Sequence, residues 1–332
     1  MMRNLEEETI LVTGATDGLG KRVASALAGR GATVLLHGRS LERLEATLEE
    51  LRGETRSEKL RCYLADLSSL DAVRDLAGRI LSEHDRLDVL VNNAGVISPE
   101  RKESGDGYEL TFAVNHLSHF LLTGLLLPLL CASAPARIVN VASAGQSPID
   151  FDDPVLERGY DAMRAYTQSK LAQIVFTFEL AGRLQDTGVT VNALHPASLM
   201  DTKMVWGNFG YTMSTVEEGA EAVVRLAVSP ELEGVTGRYF DGTREGGARE
   251  QASLRPTGQE EAVGLERGSV RALARPRCAP VINACLRVVS KARSWGQVPA
   301  PSEAYCRPQR EKRRSKSAFR NPIATRSGVS GG

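Results

Sequence analysis

Tyr166 and Lys170 stand four residues apart within a stretch, 162–184, whose apolar positions Leu171, Ile174, Val175, Phe178 and Leu180 have helical spacing. The phenol and the ammonium therefore project from one helix face. A tyrosine with an ordinary pKa of about 10 is a poor acid or base near neutrality, whereas an adjacent cation favours the phenolate and lowers that value. The pair is a candidate for proton exchange, although a YxxxK spacing by itself is also what an ordinary surface helix offers. Ser143 closes the run Arg137-Ile138-Val139-Asn140-Val141-Ala142, and a hydroxyl there could hydrogen-bond a substrate carbonyl or alkoxide and hold it beside Tyr166.

The groups that would hold a cofactor lie upstream. Ile10-Leu11-Val12 reads as a strand, Thr13-Gly14-Ala15-Thr16-Asp17-Gly18-Leu19-Gly20 as a glycine turn, and Lys21 onward as a helix. Glycines permit a tight turn and close backbone approach, and the helix N-terminus offers unpaired N–H groups to a pyrophosphate. The spacing Gly14, Gly18, Gly20 is wider than GxGxxG, and a purely structural βα turn would look similar. After the next strand, Thr33-Val34-Leu35-Leu36, comes His37-Gly38-Arg39-Ser40. A carboxylate here would bond a ribose 2′-OH, whereas an arginine accommodates a 2′-phosphate. With Gly38 in place of the acid and Arg39 beside it, charge favours NADP(H) over NAD; a solvated Arg39 at a helix start is the plainer alternative. Asp66, in Leu64-Ala65-Asp66-Leu67, precedes Ser68, Ser69 and Asp71 and reads as a helix N-cap. Leu87-Asp88-Val89-Leu90-Val91 reads as a buried strand leading to Asn92-Asn93-Ala94-Gly95.

The order and spacing of these fragments resemble the short-chain dehydrogenase/reductase family over roughly residues 5–244. That resemblance implies a catalytic set of Asn115, Ser143, Tyr166 and Lys170, with Asn115, in Phe112-Ala113-Val114-Asn115-His116, supporting Lys170 through a water-mediated proton relay. On the residues alone, Asn115 reads equally as a structural interruption of a helix. The resemblance also implies a cofactor set of Thr13, Gly14, Thr16, Asp17, Gly18, Leu19, Gly20, Arg39, Asp66, Leu67, Asn93, Ala94, Gly95, Tyr166, Lys170, Pro196 and Thr202, with Asp66 at the adenine and Pro196 and Thr202 lining the nicotinamide pocket. Ala197 replaces the glycine that usually follows Pro196 in the family. The 22 residues between Ser143 and Tyr166, with Asp150, Asp152 and Asp153, resemble those of the retinol dehydrogenase, WW-domain-containing oxidoreductase and protochlorophyllide reductase branch. Hydride transfer between NADP(H) and an alcohol or carbonyl of a small apolar substrate is the implied function; a non-catalytic NADP-binding sensor or scaffold is the alternative.

The elements required to position these groups are present. At 332 residues and 42% hydrophobic content, alternating strand and helix signals predict one doubly wound parallel-sheet Rossmann domain, of class α/β, over 1–244. Sheet closure is expected at Gly237-Arg238-Tyr239-Phe240. His195 reads as structural, because the set above already supplies the acid. Met204, Val205, Trp206, Phe209 and Tyr211 lack clear periodicity and read as a substrate-covering loop or as a packed hydrophobic helix. The apolar run 120–131 is shorter than the roughly 20 residues a bilayer demands and reads as a buried helix, which in family members commonly forms a homodimer interface. His116 and His119 at its start read as capping or surface positions. Cys62, Cys131, Cys278, Cys285 and Cys306 have no metal or disulfide spacing, and a metal site is not expected. A polar start without a secretory signal and scattered cysteines lead us to expect a cytoplasmic protein.

Zero net charge hides a division. Residues 245–332 carry 17 Lys/Arg against 7 Asp/Glu, and the preceding 244 carry 24 against 34. The tail is rich in Gly, Pro, Arg and Ser and reads as disordered; no recognisable nucleic-acid module accompanies its basic run 307–320, so no nucleic-acid partner is expected. One codon choice for Gln259-Glu260-Glu261-Ala262-Val263-Gly264, read one base later, gives Arg-Arg-Arg-Leu-Trp, which resembles the basic, tryptophan-containing last helix of the branch. An aberrant, frameshifted tail is therefore also expected.

Overall fold

A computed structural model describes residues 4–150 and 153–246. The expectations for a disordered or frameshifted tail concern residues beyond these. Eight strands form one sheet in the order β3-β2-β1-β4-β5-β6-β7-β8. They are β1 (Thr9–Val12), β2 (Thr33–Gly38), β3 (Leu60–Leu64), β4 (Val89–Asn92), β5 (Ala136–Val141), β6 (Val189–His195), β7 (Arg238–Asp241) and β8 (Arg244–Glu245). Every pairing is parallel except β7 with β8. The final hairpin carries the sheet to Glu245, and the Gly246 N–H still donates to Tyr239 O at 3.0 Å.

The strands are short apolar runs because helices cover both faces of the sheet. Period-two alternation then sorts their side chains. Leu11, Leu90, Ile138 and Val191 face one layer, where Val73, Leu76 and Ile80 of α3 (Leu70–Glu83) meet Leu122, Leu126 and Leu130 of α5 (Ser118–Ala132) and Ala172 and Leu180 of α6 (Ala162–Arg183). Ile10, Val12, Val89, Val91, Val139 and Val141 face the other, with Val23 and Leu27 of α1 (Gly18–Ala28), Leu44 and Leu51 of α2 (Leu41–Thr55), and Val223 and Ala227 of α8 (Val216–Val228). Each fully buried Leu or Val contributes about 1.5–3 kcal/mol from area removed from water.

α5 is preceded by α4 (Leu110–Phe112) and a π-helical turn, Ala113–Leu117. The continuous run Leu110–Ala132 has the length and composition to cross a membrane, with mean hydropathy 1.5, yet its Leu121, Leu122, Leu126 and Leu130 are packed into the core, as expected of a buried helix. His116 and His119 are not at capping or surface positions. Both are buried, because this end of the helix packs against α6 and the glycine turn, where His119 meets Gln173 and Thr13. His116 sits among the rings of Phe112, Phe120 and Phe176.

The sequence of strand numbers reverses direction between β1 and β4. In doubly wound sheets the crevice at that switch point, beyond the carboxyl ends of the strands, is where ligands bind. Thr13–Gly20, Arg39, Asn93–Gly95, Ser143 and Pro196 follow the carboxyl ends of β1, β2, β4, β5 and β6 on that edge.

Candidate active site

The glycine turn is held close to the β4 turn. Gly14 has φ +66°, and a Cβ on it would stand 2.9 Å from Ala94 Cα. A Cβ on Gly20 would collide with the Gly14 carbonyl oxygen and stand 2.5 Å from Asn93 Nδ2, so α1 packs directly against the turn. Gly18 has φ +47° and opens α1, with Asp17 as N-cap accepting from the Gly18 N–H at 2.9 Å. Thr13 Oγ1 accepts from Asn93 N–H at 2.8 Å and Ala94 N–H at 3.0 Å, while Asn93 Nδ2 donates to Thr13 O at 2.8 Å. Leu19 is core, packed with the α8 layer. Thr16 lies over Gly38, where a Cβ would stand 2.6 Å from its methyl group. His37 was not foreseen as a support. Its Nδ1 accepts from the Gly14 N–H at 3.1 Å and its Nε2 lies 3.1 Å from Ala65 O.

Arg39 is exposed at the end of β2 and makes no ion pair with any described carboxylate. Arg43, one turn into α2 and not foreseen, pairs with Asp17 at 2.6 Å, and Lys203 reaches the same carboxylate at 3.1 Å. Partial burial pushes the Asp17 carboxyl up, but Lys203, the Gly18 N–H and Arg43 outweigh it, and its pKa lies below the ordinary value. Asp66 is exposed and accepts from Ser68 N–H at 2.9 Å in a turn of its own. The N-cap of α3 is instead Ser69, whose side chain accepts from Ala72 N–H, because the chain leaves β3 two residues before Asp66. Leu67 is core.

At the other side of the crevice the structure brings the four expected catalytic residues into one neighbourhood. α6, capped by Asp161, spans the helix expected from periodicity. Ser143 is close enough to the Tyr166 phenol to draw its pKa down, and Lys170 Nζ lies 5.6 Å from the centroid of the Tyr166 ring. Buried Lys170 donates to Val141 O at 2.8 Å and to Gln173 Oε1 at 3.0 Å. Gly95 passes over this group, since a Cβ there would contact Asn115 Oδ1 and Lys170 Nζ at 3.5 and 3.7 Å. Asn115 lies in the π turn, as π bulges at functional sites often do. Its Oδ1 accepts from Val96 N–H at 2.8 Å and its Nδ2 donates to Val96 O and Ser169 Oγ, each at 3.0 Å. The side chain thus clamps the loop after β4 to α6, and does so from an interruption of the helix.

Beneath the site runs a polar chain that hydrophobic patterning does not reveal. Asn92 Nδ2 donates to Thr123 Oγ1 and Asn140 Oδ1, and Asn140 Nδ2 donates to Thr177 Oγ1, at 2.8–2.9 Å. It ties β4 and β5 to α5 and α6, the two helices flanking the chemistry.

The pKa directions modify the sequence reading. Burial lowers Lys170 to about 7. Burial raises the Tyr166 phenol, and Ser143 only partly offsets it, whereas the YxxxK spacing predicts lowering. The reason is geometric: Lys170 aims two donors at Val141 and Gln173 rather than at the phenol.

Pro196 is buried beside Gly219 of α8. Thr202 caps α7 (Lys203–Phe209), and its methyl group faces Gly18. His195 Nε2 lies 3.1 Å from Ser198 Oγ. The segment expected as a covering loop or packed helix is a short helix followed by a loop: Val205 is buried, Trp206 and Phe209 of the helix are exposed, and so are Tyr211 and Met213 after it.

Such a crevice, with a glycine cradle on one side and Ser, Tyr and Lys on the other, defines a Rossmann-type oxidoreductase. The sequence profile of the short chain dehydrogenase family matches residues 8–209, and the chain belongs to that family. Its similarity extends to the retinol dehydrogenases. Human retinol dehydrogenase 13 is 41% identical over 293 residues, covering 81% of this chain and 88% of that protein. Mouse retinol dehydrogenase 14 is 41% identical over 266 residues, covering 72% and 78%. Among solved structures, a short chain dehydrogenase from Shigella flexneri complexed with NADP superposes with TM-score 0.61 at 27% identity, covering 73% of this chain and 99% of that one. Salutaridine reductase from Papaver somniferum gives 0.57 at 26%, covering 71% and 99%.

Proposed function

We propose that this oxidoreductase transfers a hydride between NADP(H) and an alcohol or carbonyl carbon of a small, apolar substrate. The observation that carries this reading is the gathering of Ser143, Tyr166 and Lys170 at the carboxyl end of β5, with the Lys170 amino group 5.6 Å from the centre of the Tyr166 ring. The residues fit the cofactor. Gly14, Gly18 and Gly20 keep side chains out of the space where a pyrophosphate would approach the N-terminus of α1, and Arg39 and Arg43 provide guanidinium groups for a 2′-phosphate with no acid at Gly38 to oppose it. When bound, the nicotinamide supplies or accepts the hydride. Ser143 holds the substrate oxygen, Tyr166 gives or takes its proton, and Lys170 in its charged form stabilises the phenolate and holds the ribose. Asn115 keeps Gly95 and Val96 over Lys170 and supports the proton relay. The apolar surface of Trp206, Phe209 and Tyr211 suits a substrate with little polar character, as does the similarity to proteins named for an apolar alcohol, retinol. A homodimer through α5 and α6 belongs to the same reading.

A screen of apolar aldehydes, ketones and alcohols with NADPH or NADP⁺ tests the proposal; absence of turnover across all classes, with cofactor binding intact, would favour a nucleotide-binding scaffold. NADPH is expected to bind about tenfold or more tightly than NADH, from a charge-assisted contact of about 1.5–3 kcal/mol. Arg39→Glu should erase or reverse that preference in a titration at fixed ionic strength. Equal affinities in the parent protein would remove the basis for choosing NADP(H).

A further inference from the structure

Two buried residues outside the expected catalytic set touch it from behind. Gln173 lies one turn beyond Lys170 on α6, and its Oε1 accepts from Lys170 Nζ. Its Nε2 lies 3.1 Å from His119 Nδ1. His119 Nε2 lies 3.2 Å from Thr13 Oγ1, at the start of the glycine turn. We infer that Gln173 and His119 are positioning residues for Lys170, holding its amino group and tying the state of that group to the glycine turn through Thr13. This inference rests on the reading of Lys170 as part of an oxidoreductase site.

Counting donors and acceptors shows why the tie is more than a packing contact. Thr13 Oγ1 already accepts from two backbone N–H groups, which fills its lone pairs. Its own proton goes either to His119 Nε2 or to Val91 O at 3.3 Å. If His119 Nε2 accepts, the imidazole proton is on Nδ1, which donates to Asn115 O at 3.1 Å. Gln173 must then present its oxygen to His119 and its amide N–H₂ to Lys170, and only an uncharged lysine accepts it. If Nε2 carries the imidazole proton, Nδ1 accepts from Gln173 Nε2, the Gln173 oxygen faces Lys170, and the ammonium is satisfied, at the cost of a third donor crowding Thr13 Oγ1 and of the Nδ1 bond to Asn115 O. One ring proton and one amide orientation thus follow the charge on Lys170.

The other titratable groups around this chain leave Lys170 as the member that changes charge near neutrality. Tyr166 faces it from the same helix. His37 at the end of β2, His116 in the π turn and His119 on α5 are all kept neutral by burial, with values near 4, 4 and 3. His119 therefore acts through its tautomer and its hydrogen bonds.

The test is the titration midpoint of Lys170 in the cofactor-free full-length protein, read from the side-chain NMR signals of isotopically labelled lysine and assigned with Lys170→Arg. Gln173→Met removes the acceptor of the ammonium, and the midpoint should fall by about one pH unit, a tenfold change in the proton equilibrium. His119→Leu releases Gln173 to face Lys170 permanently, and the midpoint should rise. Opposite shifts at similar Tm, with kcat reduced in Gln173→Met and its pH profile displaced in the direction of the midpoint, would support the inference. Unchanged midpoints, or shifts in one direction that track loss of Tm, would overturn it. Should His119→Leu fail to fold, Gln173→Met decides alone, an unmoved midpoint again being fatal. Absence of NADP(H)-linked turnover in the parent protein would instead overturn the proposed function, since the lysine titration needs no turnover.

Discussion

Tyr166→Phe is expected to abolish turnover, by about 10²–10⁴-fold as for loss of a positioned acid, while NADPH binding stays near that of the parent protein. The substitution keeps the ring, its packing and its place beside Lys170, and deletes only the phenolic oxygen that Ser143 acts on. Lys170→Ala should damage both properties, because one amino group serves the phenolate and the cofactor ribose. Turnover on an identified substrate and NADPH titration by fluorescence separate the two effects. Near-native turnover in Tyr166→Phe would sink the mechanism, and an unaffected NADPH affinity in Lys170→Ala would remove the lysine from the cofactor site.

Gly20→Ala is expected to have the second largest effect. Its Cβ would enter the space of the Gly14 carbonyl oxygen and approach Asn93 Nδ2, and a backbone oxygen in a turn fixed by Thr13 cannot swing aside. The turn and α1 must separate. Overpacking of this kind costs about 1–3 kcal/mol, and because displacement falls on the phosphate cradle itself, NADPH affinity should fall about tenfold or more. Gly53→Ala is the control: nothing lies within 4 Å of its added Cβ, and in the interior of α2 it should stabilise by roughly 0.5–1 kcal/mol. Denaturant unfolding with NADPH titration of both variants checks this. Parent-like binding in Gly20→Ala would show that the turn adapts and that the cradle does not depend on close packing.

The sheet was legible in the sequence because its strands are buried on both faces, so Ile10-Leu11-Val12 and Val89-Leu90-Val91 stand out as apolar runs. α6 was legible because one face of a long helix meets the core at regular intervals. Ser143, Tyr166 and Lys170 could be named because they lie near element ends in a recognisable order, and the structure brings them together. What escaped reading is what depends on distant partners. His119 and Gln173 meet across 54 residues of chain, and two histidines three apart in a helix look polar and outward until partners distant in sequence, Thr13, Gln173 and Phe176, are seen to cover them. Arg43 and His37 act on the glycine turn from α2 and β2, with no local signal marking either. The raised Tyr166 phenol likewise follows from where Lys170 points, which spacing cannot specify.

The short helix α7 has a consequence for how such a protein diversifies. Its bulky side chains Trp206 and Phe209, with Tyr211 and Met213 just after it, are exposed, and its first turn is fastened to the glycine turn through Thr202 against Gly18 and Lys203 with Asp17. If substrate meets these exposed side chains, as proposed, the residues that choose it bear little of the sheet's packing. Mutations accumulating there can alter which molecules are accepted while leaving the unfolding equilibrium almost untouched, so descendants of one ancestor can part company in diet before they part company in architecture.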